Sequence, residues 1–227
     1  MKNIIILILL ICLVCPACTD KEMSAPFCEE INATEFKEIF DVPDDFSGPI
    51  KICSPNGKIQ IKGLLKKGMR TGLWLEYFND QLIEQSHFKE GELHGRYESY
   101  YQNGQKKKDL HYYNGKLDKS YMSFYQNGQL EVEAYYVNGE LDKNYQSYFE
   151  NGQLKLKTQY LDRKLHGKNI HFYENGQTKI DYNYVNGKLH GDCLLYNIKG
   201  QIQRKENYKN GILKKCKGKG CEPIQYR

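Results

Sequence analysis

Tyr173-Glu174-Asn175-Gly176-Gln177-Thr178-Lys179-Ile180-Asp181-Tyr182-Asn183-Tyr184-Val185-Asn186-Gly187-Lys188-Leu189-His190-Gly191 is the stretch that decides the fold. Between two Asn-Gly pairs, Thr178, Ile180, Tyr182 and Tyr184 alternate with Lys179, Asp181 and Asn183. Apolar character at every second residue marks a strand with one buried face. Asn-Gly is the strongest short-range hairpin signal, because both residues tolerate the positive φ of a primed turn. The segment therefore predicts a strand closed by a turn at each end.

The pattern recurs outward in both directions. Asn-Gly-Gln starts at Asn103, Asn127, Asn151 and Asn175, each 24 residues after the last, with Gly200-Gln201 continuing the series and Asn79-Asp80-Gln81 opening it. A second turn series lies half a period away, at Asn114-Gly115, Asn138-Gly139, Asn186-Gly187 and Asn210-Gly211, with Gly91 and Asp162-Arg163 in the remaining slots. Between turns run two aromatic columns, Tyr77, Tyr100, Phe124, Tyr148, Phe172 and Tyr196, and Phe88, Tyr112, Tyr136, Tyr160, Tyr184 and Tyr208. A leucine column (Leu93, Leu117, Leu141, Leu165, Leu189, Leu213) follows the second turns and is expected to fold inward beneath them.

Six periods begin at Gly72, Gly95, Lys119, Lys143, Gly167 and Gly191, the first one residue short, after a half-unit from Asn56-Gly57 to Lys67-Gly68. Such periodicity predicts an all-β fold, an elongated antiparallel meander of tandem β-hairpins stabilised by nearest-neighbour stacking. Each repeat advances two strands, roughly 10 Å.

The N-terminus reads differently. An uncharged apolar run from Ile4 to Val14 is too short for a comfortable membrane span and fits the core of a secretory signal. Cys15-Pro16-Ala17-Cys18 resembles a bacterial lipobox, which makes Cys18 the candidate lipidation site. The expected organisation is a signal peptide over 1–17, an anchor linker and cap over 18–55, a repeat domain over 56–214 and a basic tail over 215–227. A short helix over 35–40, with Asn32 and Glu35 as its capping box, is expected in the cap. Lysines 214, 215, 217 and 219 would guard the far edge against strand pairing. Export to an oxidising compartment leaves five cysteines, of which Cys28–Cys53 and Cys216–Cys221 are candidate disulfides and Cys193 a buried free thiol.

Residues 56–214 resemble the MORN-repeat variant found in many bacterial proteins, the unit quoted at the outset being its clearest copy. The resemblance implies twin-stranded repeats serving as scaffolds or contact surfaces, and some members are labelled antitoxins. Gly95, Gly167 and Gly191 match the family's glycine after the turn, whereas Lys119, Lys143 and Lys215 do not. Arg163 stands where the turn glycine is expected, which predicts a turn of another type there.

Candidate chemistry is sparse. His94, His166, His190, Asp118 and Asp142 share a column, but neighbours in it lie about 10 Å apart and cannot close on one ion. They are expected as solvated turn positions. Ser99, Ser123 and Ser147 repeat with the period and mark a strand face. No catalytic residue, metal or cofactor is expected.

Charge is more informative. The net charge is +5. Residues 19–50 hold nine acidic residues and two lysines, or −7, so without Lys2 the remainder from residue 51 carries +4 − (−7) = +11. Pleat alternation sets Tyr101, Tyr125, Phe149 and Tyr173 opposite the Tyr100 column, as a candidate partner surface. The expected function is a non-catalytic, membrane-anchored envelope lipoprotein whose repeats bind a protein or an anionic glycan or lipid surface. Nucleic acid fits the charge but not the exported location. The alternative, implied by the resemblance, is an antitoxin or immunity-type protein that neutralises a toxin.

Overall fold

The computed structural model describes residues 45–54 and 56–221. The signal segment, Cys18, Cys28 and the helix expected over 35–40 lie outside the described residues. Every described element is a strand, and the strand pairings are antiparallel.

The described residues form two compact units, those from 45 to 105 with 112–115, and 106–111 with those from 116 to 221. The first contains β1 (Gly48–Cys53), β2 (Ile59–Lys66), β3 (Met69–Phe78), β4 (Gln81–Lys89) and β5 (Glu92–Tyr100). Strand β6 (Lys106–Tyr113) is divided between the two. The second unit continues with β7 (Lys116–Phe124), β8 (Leu130–Val137), β9 (Glu140–Tyr148), β10 (Leu154–Leu161), β11 (Lys164–Phe172) and β12 (Thr178–Val185). It ends with β13 (Lys188–Leu189), β14 (Gly191–Tyr196), β15 (Ile202–Lys209) and β16 (Ile212–Gly218). Within each unit the strand order follows the chain, as a meander requires, except that β12 pairs with both β13 and β14.

The two turn series are of different types, which corrects the expectation of primed turns throughout. In the second series both central residues have positive φ, for example Asn138 (52°) and Gly139 (86°). In the Asn-Gly-Gln series only the glycine does. There Gly176 N–H donates to Tyr173 C=O at 2.9 Å and Tyr173 N–H to Gln177 C=O at 2.8 Å, a three-residue loop ending in a left-handed glycine. Asn79 and Asp80 both take positive φ (50° and 65°), and Phe78 pairs directly with Gln81. The first period is short because its turn is the two-residue kind.

Arg163 does not change the turn type. Asp162 and Arg163 hold φ of 49° and 64°, the conformation of the Asn-Gly turns. Lys119 (71°) and Lys143 (63°) likewise adopt the positive φ that Gly95, Gly167 and Gly191 supply elsewhere. Hairpin geometry overrides the intrinsic preference, against a cost of roughly 1–2 kcal/mol for each L-residue held left-handed.

Each unit finds a core on one sheet face by alternating large and small side chains across the strands. In the second, Tyr121 pairs with Ala134, Ala134 with Tyr145, Tyr145 with Thr158 and Thr158 with Asn169. Ala134 and Thr158 are buried beneath the larger neighbours, and Asn169 Nδ2 donates to Thr158 Oγ1 at 2.9 Å. The leucines after the second turns face the tyrosine column, as in the pairs Tyr136–Leu141, Tyr160–Leu165 and Tyr184–Leu189. In the first unit Ser86 is buried between its cross-strand partners Trp74 and Tyr97. Ile50, Ile52, Ile61, Leu65 and Trp74 form that unit's aliphatic–aromatic core, with Phe88 against it.

Candidate binding surface

The turn Tyr-x-Asn-Gly-Gln is a set of connectors between repeats. Tyr125 Oη donates to the backbone C=O of Tyr148 at 2.7 Å and Tyr173 Oη to that of Tyr196 at 2.9 Å. Asn127, Asn151 and Asn175 donate through Nδ2 to the carbonyls of Glu150, Glu174 and Ile198 at 3.0–3.2 Å. Each asparagine also accepts, through Oδ1, the N–H of the glutamine two residues on, at 2.9–3.1 Å. That glutamine lies over the glycine of the following repeat: a Cβ on Gly152, Gly176 or Gly200 would stand 2.6, 3.0 or 2.4 Å from the Oε1 of Gln129, Gln153 or Gln177. At the opposite rim Gly139, Gly187 and Gly211 donate their N–H to the C=O of Leu117, Leu165 and Leu189, at 2.7–2.8 Å. The 24-residue identity of these turns thus has a mechanical cause: each one bonds to its successor.

This arrangement corrects the placement of the aromatic row. Strands β7, β9 and β11 end at Phe124, Tyr148 and Phe172, so Tyr125, Phe149 and Tyr173 are the first turn residues, beyond the reach of pleat alternation. Tyr101 holds the same place after β5. All four are half-buried. The rings differ between repeats in what accompanies them. Lys155 Nζ stands 5.6 Å from the Phe149 ring centroid, and Lys179 Nζ 5.6 Å from that of Tyr173. One repeat earlier the position of Lys155 is held by Glu131, whose charge together with burial and Glu150 raises the Tyr125 pKa, burial being the largest cause.

The histidine and aspartate column is not a set of solvated turn positions. His94 Nδ1 lies 3.0 Å from Asn114 Oδ1, and Asp118 Oδ1 accepts from Asn138 N–H at 3.3 Å. His166 and His190 are half-buried, with Nδ1 atoms sequestered from solvent. Among the described residues, no group of three or more His, Cys, Asp or Glu could hold a metal ion.

Cys216 and Cys221 form a disulfide with Cα atoms 5.6 Å apart. It closes the turn after β16, where Lys219 N–H donates to Gln203 C=O at 3.1 Å. Cys193 is a buried free thiol whose pKa is raised, chiefly by burial. Cys53 is buried on β1, and its candidate partner Cys28 lies outside the described residues.

Positive charge is concentrated at one end of the sequence. Residues 154–221 contain fifteen Lys and Arg against five Asp and Glu, 15 − 5 = +10, and all but Arg204 of those bases are exposed. Three of the five acids are engaged: Asp181 with Lys168 at 2.8 Å, Asp192 with Lys205 at 2.6 Å, and Glu206 with Arg204. The sequence showed a basic excess, but its position relative to the aromatic rings depends on the turns.

The model of the MORN repeat variant matches four consecutive segments, residues 93–114, 117–138, 141–162 and 165–186. Comparison with curated proteins finds no match. Each matched segment starts at a leucine of the inward column and ends at the second turn of the following hairpin, so the family unit coincides with the structural one. Residues 93–186 thus match the MORN repeat variant as four tandem copies.

Proposed function

We propose that this chain is a non-catalytic scaffold of the bacterial envelope, exported, anchored through a lipid on Cys18, and presenting its repeats to a protein or glycan partner. One observation supports this above others. The recurring turn residues face the next repeat: Asn127, Asn151 and Asn175 bond to it, and Gln129, Gln153 and Gln177 lie over its turn glycine. Residues that vary from repeat to repeat, such as Glu131, Lys155 and Lys179, lie outside that frame. A constant frame with a variable surface is how repeat proteins build extended contact faces.

The anchor is tested by fatty-acid labelling and cell fractionation of wild type beside Cys18→Ala. Label and membrane retention in wild type alone are expected; an unlabelled wild type found in the cytoplasm sinks the reading. The binding role is tested by mixing purified mature protein with peptidoglycan and with solubilised envelope proteins at low salt. Failure to bind either removes it.

A further inference from the structure

Building on the proposed binding role, we infer that Phe149 with Lys155 and Tyr173 with Lys179 form two stations for an acidic linear polysaccharide, one sugar ring and one carboxylate to each. Each station pairs an aromatic ring with an exposed ammonium at the same separation, 5.6 Å from ring centroid to Nζ. A ring offers a flat apolar surface to a sugar's C–H face, while the ammonium meets a carboxylate as a mobile point charge. The stations are equivalent positions 24 residues apart, hence two strands, or roughly 10 Å. An extended β-linked glycan advances by about that distance per disaccharide. A chain with one uronate per disaccharide would therefore present the same group to both.

The site is bounded on the sequence. In the preceding repeat the lysine is replaced by Glu131 beside Tyr125, and in the following one the pair becomes Asn197 and Gln203. Around the stations the field is positive, the segment 154–221 carrying 15 − 5 = +10. Local acids select further. Glu150 and Glu174 are exposed next to Phe149 and Tyr173, so a ligand with closely spaced charge meets repulsion where a widely spaced one does not. Nucleic acid, with about one charge per 1.7 Å of duplex axis, is of the first kind. A glycan charged once per disaccharide is of the second.

The test is fluorescence anisotropy of labelled hyaluronan oligosaccharides of increasing length, which carry one uronate per disaccharide, against the full mature chain. Binding is expected to strengthen sharply once an oligomer spans both stations. Lys155→Glu with Lys179→Glu is expected to weaken it by about tenfold or more. Phe149→Leu, which keeps apolar bulk but removes the ring, is expected to weaken it while leaving the melting temperature of the protein unchanged. Equal binding of fully methyl-esterified chains, indifference to the lysine pair, indifference to Phe149→Leu, or tighter binding of single-stranded DNA would each overturn the inference. If the hyaluronan oligosaccharides fail while envelope material is still retained, this inference falls and the general binding role stands.

Discussion

The phenol of Tyr173 donates to the backbone carbonyl of Tyr196, 23 residues further along the chain, at 2.9 Å. Tyr125 makes the same bond to Tyr148. Phe149, between them in the series, lacks the hydroxyl. Since the acceptor is the last residue of a strand, the bond fixes where that strand ends relative to the previous turn. It is a connector between repeats, and its presence in some copies but not others makes it measurable.

Tyr173→Phe is expected to destabilise by about 1 kcal/mol, the usual net worth of such a hydrogen bond. Phe149→Tyr, which can reach the equivalent carbonyl of Phe172, is expected to stabilise by about the same amount or less. Denaturant midpoints of both variants against wild type are the check. Two neutral outcomes would show that the bond is decorative.

Lys119→Gly is expected to stabilise. Lys119 holds φ at 71°, which costs an L-residue roughly 1–2 kcal/mol. Glycine removes that strain but enlarges the unfolded ensemble, an opposing effect of about 0.4–1 kcal/mol. The balance favours glycine by about 0.5–1 kcal/mol. Ser120→Gly, at a neighbouring position without positive φ, should lower the midpoint instead. Equal shifts in both variants would rule out backbone strain as the cause.

Turn spacing and alternation were legible in the sequence because both are local. Thr178, Ile180, Tyr182 and Tyr184 declare a strand whatever they pack against, and Asn186-Gly187 closes it. What lay beyond reach depends on counts and distances that only pairing sets. Asn138-Gly139 and Asn175-Gly176 look alike as dipeptides but sit in loops of two and three residues. Tyr125 and Tyr173 escape pleat alternation because the strands end one residue before them. His166 and His190, each directly after a leucine of the inward column, are half-buried with sequestered Nδ1 atoms, a tertiary outcome with no mark in the column itself. For the candidate surface, aromatic and basic residues were visible, but the pairing of Phe149 with Lys155 rests on how the turn folds back.

Gly63→Ala is expected to be among the more damaging single-methyl additions. A Cβ there would stand 2.4 Å from the Trp74 ring, which is 1% exposed and has no room to retreat. Overpacking of this kind costs about 1–3 kcal/mol. Trp74 is the sole tryptophan, so its fluorescence reports the site directly. A red shift with a lowered midpoint is expected. Gly72→Ala, where φ is +67° but a Cβ meets open space, should lower the midpoint without moving the emission.

The tyrosines make the fold alkali-sensitive. Burial raises the pKa of Tyr121, Tyr136, Tyr160, Tyr182 and Tyr184, as the largest cause in each. Tyr208 is pushed up to about 12 by burial and by donating to the Glu206 carboxylate, which would face a phenolate with like charge. Tyr97 is raised likewise by burial and by its 2.7 Å bond to Glu84. In the unfolded chain phenols ionise near pH ~10. Between there and about 12 the unfolded state therefore holds fewer protons than the folded one, and stability falls as pH rises. Below that window the phenols are neutral in both states and their contribution is complete. Upward titration should show phenolate absorbance and loss of β circular dichroism advancing together within the window. If most phenols ionise near pH ~10 while the β signal persists, the tyrosine columns are far better solvated than their packing against Ala134, Thr158 and the inward leucines implies.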